Sequence, residues 1–228
     1  MSNRPVEMIV FDWDGTLIDS SPCVVIAHHR TAETFGMAPH DQSKLETLLG
    51  QPSDIVSKVL TEDTGVNAKD YQTCFRDHYT QAATNIDLFP FTKPLLKKLI
   101  AQNIRCAIAT NKPRAIAEKE IIRTGVTEFF TQIEYASESS AKPDPEMLIR
   151  IATNNHVKYE NMLMIGDQTN DVDAAINLNM DSIILYDQNL PLWYARYTEK
   201  TVFATHTELE NTLISNGILE PVQPATAR

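Results

Sequence analysis

The chain has 228 residues, 43% of them apolar and 22% charged, the composition of a globular protein with room for one generous core and an insertion. Its net charge of −10, with a pI near 5.0, argues against a nucleic-acid partner, whose phosphates are held by clustered Lys and Arg; no apolar stretch approaches a membrane span. Cys23, Cys74 and Cys106 are scattered and in no metal-ligand spacing, which argues against a disulfide framework, and the opening MSNRPVEMIVF lacks a secretory signal's long apolar run, so a cytoplasmic protein is expected.

The first predicted element is MIVF (8–11), a short apolar run that reads as a buried strand. It leads directly into Asp12, Asp14 and Asp19. Like charges crowded at a strand end repel and are costly to desolvate, so a positive partner is expected there, either a metal or a substrate-bound cation. From 20 to 86 the pattern is helical, with no convincing strand. Ser21 and Pro22 start a helix that Gly36 ends, Leu45, Leu48 and Leu49 precede Gly50, and Tyr71, Cys74, Phe75, His78, Tyr79 and Ala82 form a helical stripe after Asn67.

Beyond 86, strands alternate with helices. Thr92 and Pro94 open a helix carrying Leu95, Leu96, Leu99 and Ile100; IRCAIA (104–109) is a second strand; Pro113 opens a helix closed by Gly125. TQIEYA (131–136) is a weaker strand. Asp144 and Pro145 start another helix, followed by strands MLMI (162–165) and SIILY (182–186), with TVFAT (201–205) as an edge strand. Such alternation implies βαβ units and a parallel sheet. The terminal SNGILEPVQPATAR is polar and proline-containing and is expected to fray.

The chemistry-bearing residues all follow predicted strands, where open parallel sheets bind ligands. Asp12, Asp14 and Gly15 follow the first strand, Thr110 and Asn111 the second, Lys142 the third across a loop, and Asp167, Asp171 and Asp173 the fourth. A hydroxyl, a lysine and a second acid cluster thus converge on the first acid cluster.

The ordered set D-x-D-G-T-L-x-D-S, T-N-K-P, K-P-D-P and G-D-x-x-x-D resembles the haloacid dehalogenase superfamily, and the helical insertion resembles its branch with a helical cap. Within that branch, TNKP and LIDSSP are most similar to the phosphoglycolate phosphatase group. The resemblance spans residues 8 to 186. It implies an α/β fold, a Rossmann-like three-layer core with a mainly parallel sheet, plus an inserted all-helical cap domain. The core is expected at 1–19 and 87–215, the cap at 20–86, and a frayed tail at 216–228.

The implied activity is a Mg²⁺-dependent phosphatase acting on a small phosphorylated metabolite. Asp12 is the expected nucleophile, forming an aspartyl-phosphate, and Asp14 the acid and then the base for proton transfer. Gly15 permits the turn that returns Asp14 to the site. Thr110, Lys142, Asn111 and Gly15 are the expected phosphate contacts. Mg²⁺ is implied at Asp12, the Asp14 backbone carbonyl and Asp167, with Asp171 orienting metal-bound water or Lys142. Several readings stay open: Asp19 caps the next helix or belongs to the site, Asp171 is a functional acid or only a helix N-terminal charge, and Asn111 contacts phosphate or caps the Pro113 helix. His28 and His29 point to different sides of one helix; Arg30 and Arg76 could meet an anionic tail; Trp13 walls the pocket or packs. Two stretches depart from the family pattern, Leu178-Asn179 after the fourth motif and LFPFT before the helix at Thr92.

The nearest alternative is a sugar-phosphate mutase, which returns the phosphoryl group to substrate rather than to water. A nucleotidase or pyrophosphatase, a dehalogenase and a non-catalytic binding protein rank below it. Neither nucleic acid nor membrane is an expected partner, and the chain is a monomer or a dimer.

Overall fold

A computed structural model describes residues 5–48, 51, 53–186, 190, 193–197 and 200–221. Six strands form one sheet in the order β3-β2-β1-β4-β5-β6: β1 (Met8–Phe11), β2 (Arg105–Thr110), β3 (Phe130–Tyr135), β4 (Met162–Gly166), β5 (Asp181–Tyr186) and β6 (Thr201–Thr205). Every pairing is parallel. The expected mainly parallel sheet is thus wholly parallel, and TVFAT lies at its edge.

β1 shows why the sheet is buried on both faces. Ile9 and Phe11 pack with Leu95, Leu96 and Leu99 of α5 (Thr92–Ala101), Ile121 of α6 (Arg114–Thr124) and Leu213 of α9 (Leu209–Ser215). Met8 and Val10 point the other way, onto Met147, Leu148 and Ile151 of α7 (Glu146–Asn155) and Ala174 and Ala175 of α8 (Thr169–Ile176). A strand whose alternate residues are all apolar needs a helix layer on each side, giving three layers.

Helix boundaries follow local chemistry. α6 ends on Gly125 at φ 64°, the left-handed cap its sequence called for. Asp144 accepts from the Glu146 backbone N–H at 2.9 Å, while α7 itself starts one residue after Pro145. Asn179 adopts φ 58°, so the asparagine after the fourth motif takes the left-handed turn that few other residues tolerate.

Between β1 and α5, the described residues hold α1 (Ser21–Thr34), α2 (Gln42–Leu48), α3 (Ser53–Thr61) and α4 (Ala68–Ala82), the helical cap. α1 packs chiefly along α4, and Leu45, Val56, Leu60 and Tyr71 form a small core of their own. Asn67 caps α4 by accepting from the Lys69 and Asp70 N–H groups. The expected stop at Leu49-Gly50 lies outside the described residues. Two chain crossings join cap to core side by side: Asp19 N–H donates to the Asp87 carbonyl, and Phe89 N–H to the Leu17 carbonyl.

Two expectations need correction. The N-cap of α1 is Ser20, and Asp19 is exposed one residue earlier, so Asp19 does not cap that helix. The terminal segment is not frayed at its start: Leu219 is 2% exposed in the main core, and Gln102 clasps the Glu220 backbone from both sides. Residues 222–228 lie outside the described residues. Trp193 and Tyr194 of the aromatic LWYARY stretch lie against Phe203 of edge strand β6, while Leu192 is outside the described residues. All three cysteines are free, and none of the described helices is long and apolar enough to cross a membrane.

Candidate active site

The sheet order reverses between β1 and β4, leaving a crevice beyond their carboxyl ends. Phe11 is in register with Ile165, and the Asp12 N–H donates to the Ile165 carbonyl at 2.8 Å. Asp12 and Asp167 therefore emerge together on opposite lips of that crevice. A cavity of about 240 Å³ lies over them, roofed by cap residues from α1 to α4.

Lys142 joins the two acid clusters. It is 1% exposed, with Nζ at 2.8 Å from Asp12 Oδ1 and 2.6 Å from Asp171 Oδ1. Burial alone would push this ammonium toward neutrality, but Asp12 and Asp171 outweigh it and raise its pKa. Asn111 holds the lysine's backbone, accepting from the Lys142 N–H at 2.7 Å and donating to its carbonyl at 3.0 Å. Its side chain is thus engaged with the Lys142 loop rather than capping α6, whose N-cap is Pro113. Thr110 closes β2, 1% exposed, and its hydroxyl accepts from the Lys112 N–H.

Asp12, Asp167 and Asp171 each offer a carboxylate oxygen, and these lie within 4.8 Å of one another. Burial raises Asp12 to about 7 despite Lys142, and raises Asp167 well above the ordinary carboxylate range, with Asp12 and Asp171 adding to the shift. One ammonium is too little charge for three crowded acids. An all-oxygen set short of positive charge fits a hard divalent cation, which keeps part of its water shell. Asp171 lies at the start of α8, where it forms the capping box with Gln168, and its other oxygen accepts from Lys142. Asp173 lies away from this cluster, accepting from the Tyr197 hydroxyl.

Glycine is required twice. Gly15 has φ 70°, and a Cβ there would sit 2.4 Å from Asp167 Oδ2; a Cβ on Gly166 would meet the Asp171 carboxyl at 2.2 Å. Any other residue at either position would displace an acid. The LFPFT departure also acquires a role, because Phe89 and Phe91 surround His206, which donates to the Gly15 carbonyl at 2.8 Å.

The chain's similarity to known proteins agrees with this geometry. The family model described as haloacid dehalogenase-like hydrolase matches residues 9–185. The chain belongs to that family. It is therefore an enzyme, a hydrolase. A phosphoglycolate phosphatase of Colwellia psychrerythraea (strain 34H) is 31% identical over 224 residues, covering 92% of this chain and 97% of that protein. One of Vibrio parahaemolyticus is 27% identical over 190 residues, covering 78% and 82%. The crystal structure of a predicted phosphoglycolate phosphatase from Haemophilus somnus superposes with a TM-score of 0.81 at 21% identity, covering 92% of this chain and 99% of that one, a likeness of fold.

The remaining sequence-predicted residues divide. Asp14 lies at the crevice, but its carboxylate turns to Lys112 rather than into the three-acid cluster. His28 lines the cavity and is buried, stacked on Phe75 at 4.1 Å, and burial lowers it to about 3, so it is a neutral ring. Arg76 lines the cavity from α4, whereas Arg30 is exposed and is not among the lining residues. Trp13 is fully buried in the core and its indole N–H donates to Glu120 at 2.8 Å, which decides for packing over pocket wall. Sequence reasoning missed Lys112, Glu120 and Tyr79. Glu120 left a signal: it falls in the stripe Ala117, Glu120, Ile121, Thr124 that α6 buries, where a carboxylate needs partners.

Proposed function

We propose that this hydrolase is a Mg²⁺-dependent phosphoric monoester hydrolase of the phosphoglycolate phosphatase type, working through an aspartyl-phosphate on Asp12. The observation that carries the reading is the Lys142 ammonium shared between Asp12 and Asp171 at the mouth of the β1/β4 crevice. It favours the anionic form of Asp12 against burial and leaves a cation where phosphoryl oxygens would lie.

Asp12 attacks phosphorus and the ester bond to the leaving group breaks, with Asp14 donating the proton that the departing alkoxide needs. Asp14 then takes a proton from water as that water attacks the aspartyl-phosphate, releasing phosphate and restoring Asp12. Thr110 and Lys142 hold phosphoryl oxygens, and Gly15 allows the turn between Asp12 and Asp167. Asn111 contributes by fixing Lys142. Asp12, Asp167 and the Asp14 backbone carbonyl would hold Mg²⁺, with Asp171 steadying Lys142 beside them. The ion supplies neutralisation of the phosphoryl charge against the attacking carboxylate.

Phosphoglycolate is the substrate this reading favours, from the relatives' names and from Arg76, a cation on the cap side of the cavity able to meet a carboxylate. The boundaries belong to the same proposal: core at 1–19 and 87–215, cap at 20–86, supported by the paired crossings at Leu17–Asp19 and Asp87–Phe89. So does a cytoplasmic location. The test is phosphate release from phosphoglycolate, hexose phosphates, nucleoside monophosphates and pyrophosphate, with Mg²⁺ or EDTA, for the native enzyme and Asp12→Asn. Mg²⁺-dependent release that disappears in the variant is expected. Isomerisation of a hexose phosphate without phosphate release would replace the phosphatase with the mutase.

A further inference from the structure

Lys112 follows Thr110 and Asn111 and lines the same cavity. Its Nζ has three acceptors: Asp14 Oδ1 at 2.6 Å, the Tyr79 hydroxyl at 2.7 Å and Glu120 Oε2 at 2.8 Å. An ammonium has three protons, and each has a partner here. Glu120 is equally occupied, its Oε2 accepting from Trp13 Nε1 at 2.8 Å and its Oε1 from the Tyr79 hydroxyl at 3.2 Å. Four segments meet in this cluster: the loop after β1, the loop after β2, helix α6 and cap helix α4.

Burying such a cluster is not a route to stability, because desolvating an ion pair consumes most of its Coulomb gain. What a fully satisfied polar cluster provides is a single geometry. Asp14, Lys112 and Tyr79 all line the cavity, and Asp14, the side chain to which the proton transfers were assigned, is the more exposed partner of the Asp14–Lys112 pair, 33% against 9%. The other members are buried anchors, with Glu120 4% exposed and Tyr79 4% exposed.

We propose that Lys112 is a positioning residue for Asp14, anchored by Glu120 and tied to the cap through the Tyr79 hydroxyl, so that Asp14 is set in place only when α4 is seated on the core. The inference rests on the reading of Asp14 as the proton-transfer group. Lys112 acts through the Asp14 carboxyl that it holds, and by making cap position part of the active-site geometry.

The test is a double-mutant cycle on kcat with Lys112→Met and Asp14→Asn, the fold of each variant checked by thermal unfolding. Lys112→Met is expected to lower kcat about 100-fold with KM changed less than about threefold, a loss of general acid–base size. In the Asp14→Asn background the same substitution should cost less than about twofold, because its target is gone. With p-nitrophenyl phosphate, whose leaving group needs no proton, the burst of nitrophenol should survive in Lys112→Met while phosphate release slows. Tyr79→Phe removes one hydroxyl without emptying the site; a fall of about 5-fold that vanishes in Asp14→Asn makes the same point should Lys112→Met not fold. Equal losses in both backgrounds would overturn the proposal and leave Lys112 as a structural latch. Full activity in Asp14→Asn, or no phosphate release by the native enzyme, would instead overturn the functional reading beneath it.

Discussion

The two sides of the cavity are built on opposite principles. The core side is charged: Asp12, Asp167, Asp171 and Lys142 crowd at strand ends, with one cation for three acids within 4.8 Å. The cap side is neutral, formed by Val24, Leu45, Val56, Phe75, Tyr71 and an uncharged His28, with Arg76 as its cation. Charge held under strain suits a step in which charge moves. An apolar wall with few polar groups suits choosing what enters and keeping water out. The charged groups thus follow strand ends and the apolar wall comes from helices, and whether chemistry and selection divide along that line can be tested on each side.

The largest expected effect breaks the charged side. Lys142→Met should lower kcat about 10²–10³-fold, the size of losing a preorganised cation beside a phosphoryl oxygen, in a steady-state assay of phosphate release. A loss confined to KM would mean that Lys142 serves binding alone.

The next prediction concerns stability without metal. Burial raises the Asp167 carboxyl in the folded state above its unfolded value of about 3.8, so its favourable contribution is complete below that pH and is lost as pH rises through the folded value. Asp12, raised to about 7, acts in the same direction. Asp167→Asn should therefore melt about 5–10 °C above the native protein at pH 8 in EDTA, and at the same temperature near pH 4. Mg²⁺ should raise the native midpoint at pH 8 and fail to raise that of the variant as far.

The neutral side gives the opposite sign. His28 is lowered to about 3, so its contribution is present above pH 6.5 and lost as pH falls toward 3. Between pH 7 and pH 4.5 this amounts to about 2 kcal/mol. His28→Phe keeps the stack on Phe75 and should remove that part of the acid sensitivity, read as a smaller drop in unfolding midpoint across the same interval. An unchanged drop would place the acid sensitivity elsewhere.

The same division explains what the sequence made legible. Asp12, Thr110, Lys142 and Asp167 each directly follow or close a strand, except Lys142, which is a loop away, so a one-dimensional pattern of apolar run then polar residue marks them. The order of the sheet supplies the convergence. The Lys112–Glu120–Tyr79 cluster obeys no such pattern. Its members lie on a loop, a core helix and a cap helix, and only the seating of α4 brings Tyr79 to Lys112. Asp19 misled for a related reason: an acid just before a helix reads as its cap, yet the chain crossing at Asp87 fixes the backbone so that Ser20 occupies that position. Local capping preferences yield to tertiary hydrogen bonds.

The smallest expected effect tests the cap side for selection. Gln72, Phe75, Arg76 and Tyr79 lie on one face of α4 toward the cavity, and Arg76 is the exposed member at its rim. An exposed arginine meeting a carboxylate is worth little more than about 1 kcal/mol, because water competes for both groups. Arg76→Met, which keeps the apolar stem, should therefore raise KM for phosphoglycolate about 5- to 10-fold while leaving kcat near native. The KM for glycerol phosphate, which has no carboxylate, should change less than about twofold. That contrast is the decisive part. Equal rises for both substrates would make Arg76 a contact for the phosphoryl group itself and move the boundary between the charged and neutral sides up into the cap. No change for either would place Arg76 outside the substrate's reach and leave Gln72 as the polar side chain of α4 next to be tested against the carboxylate.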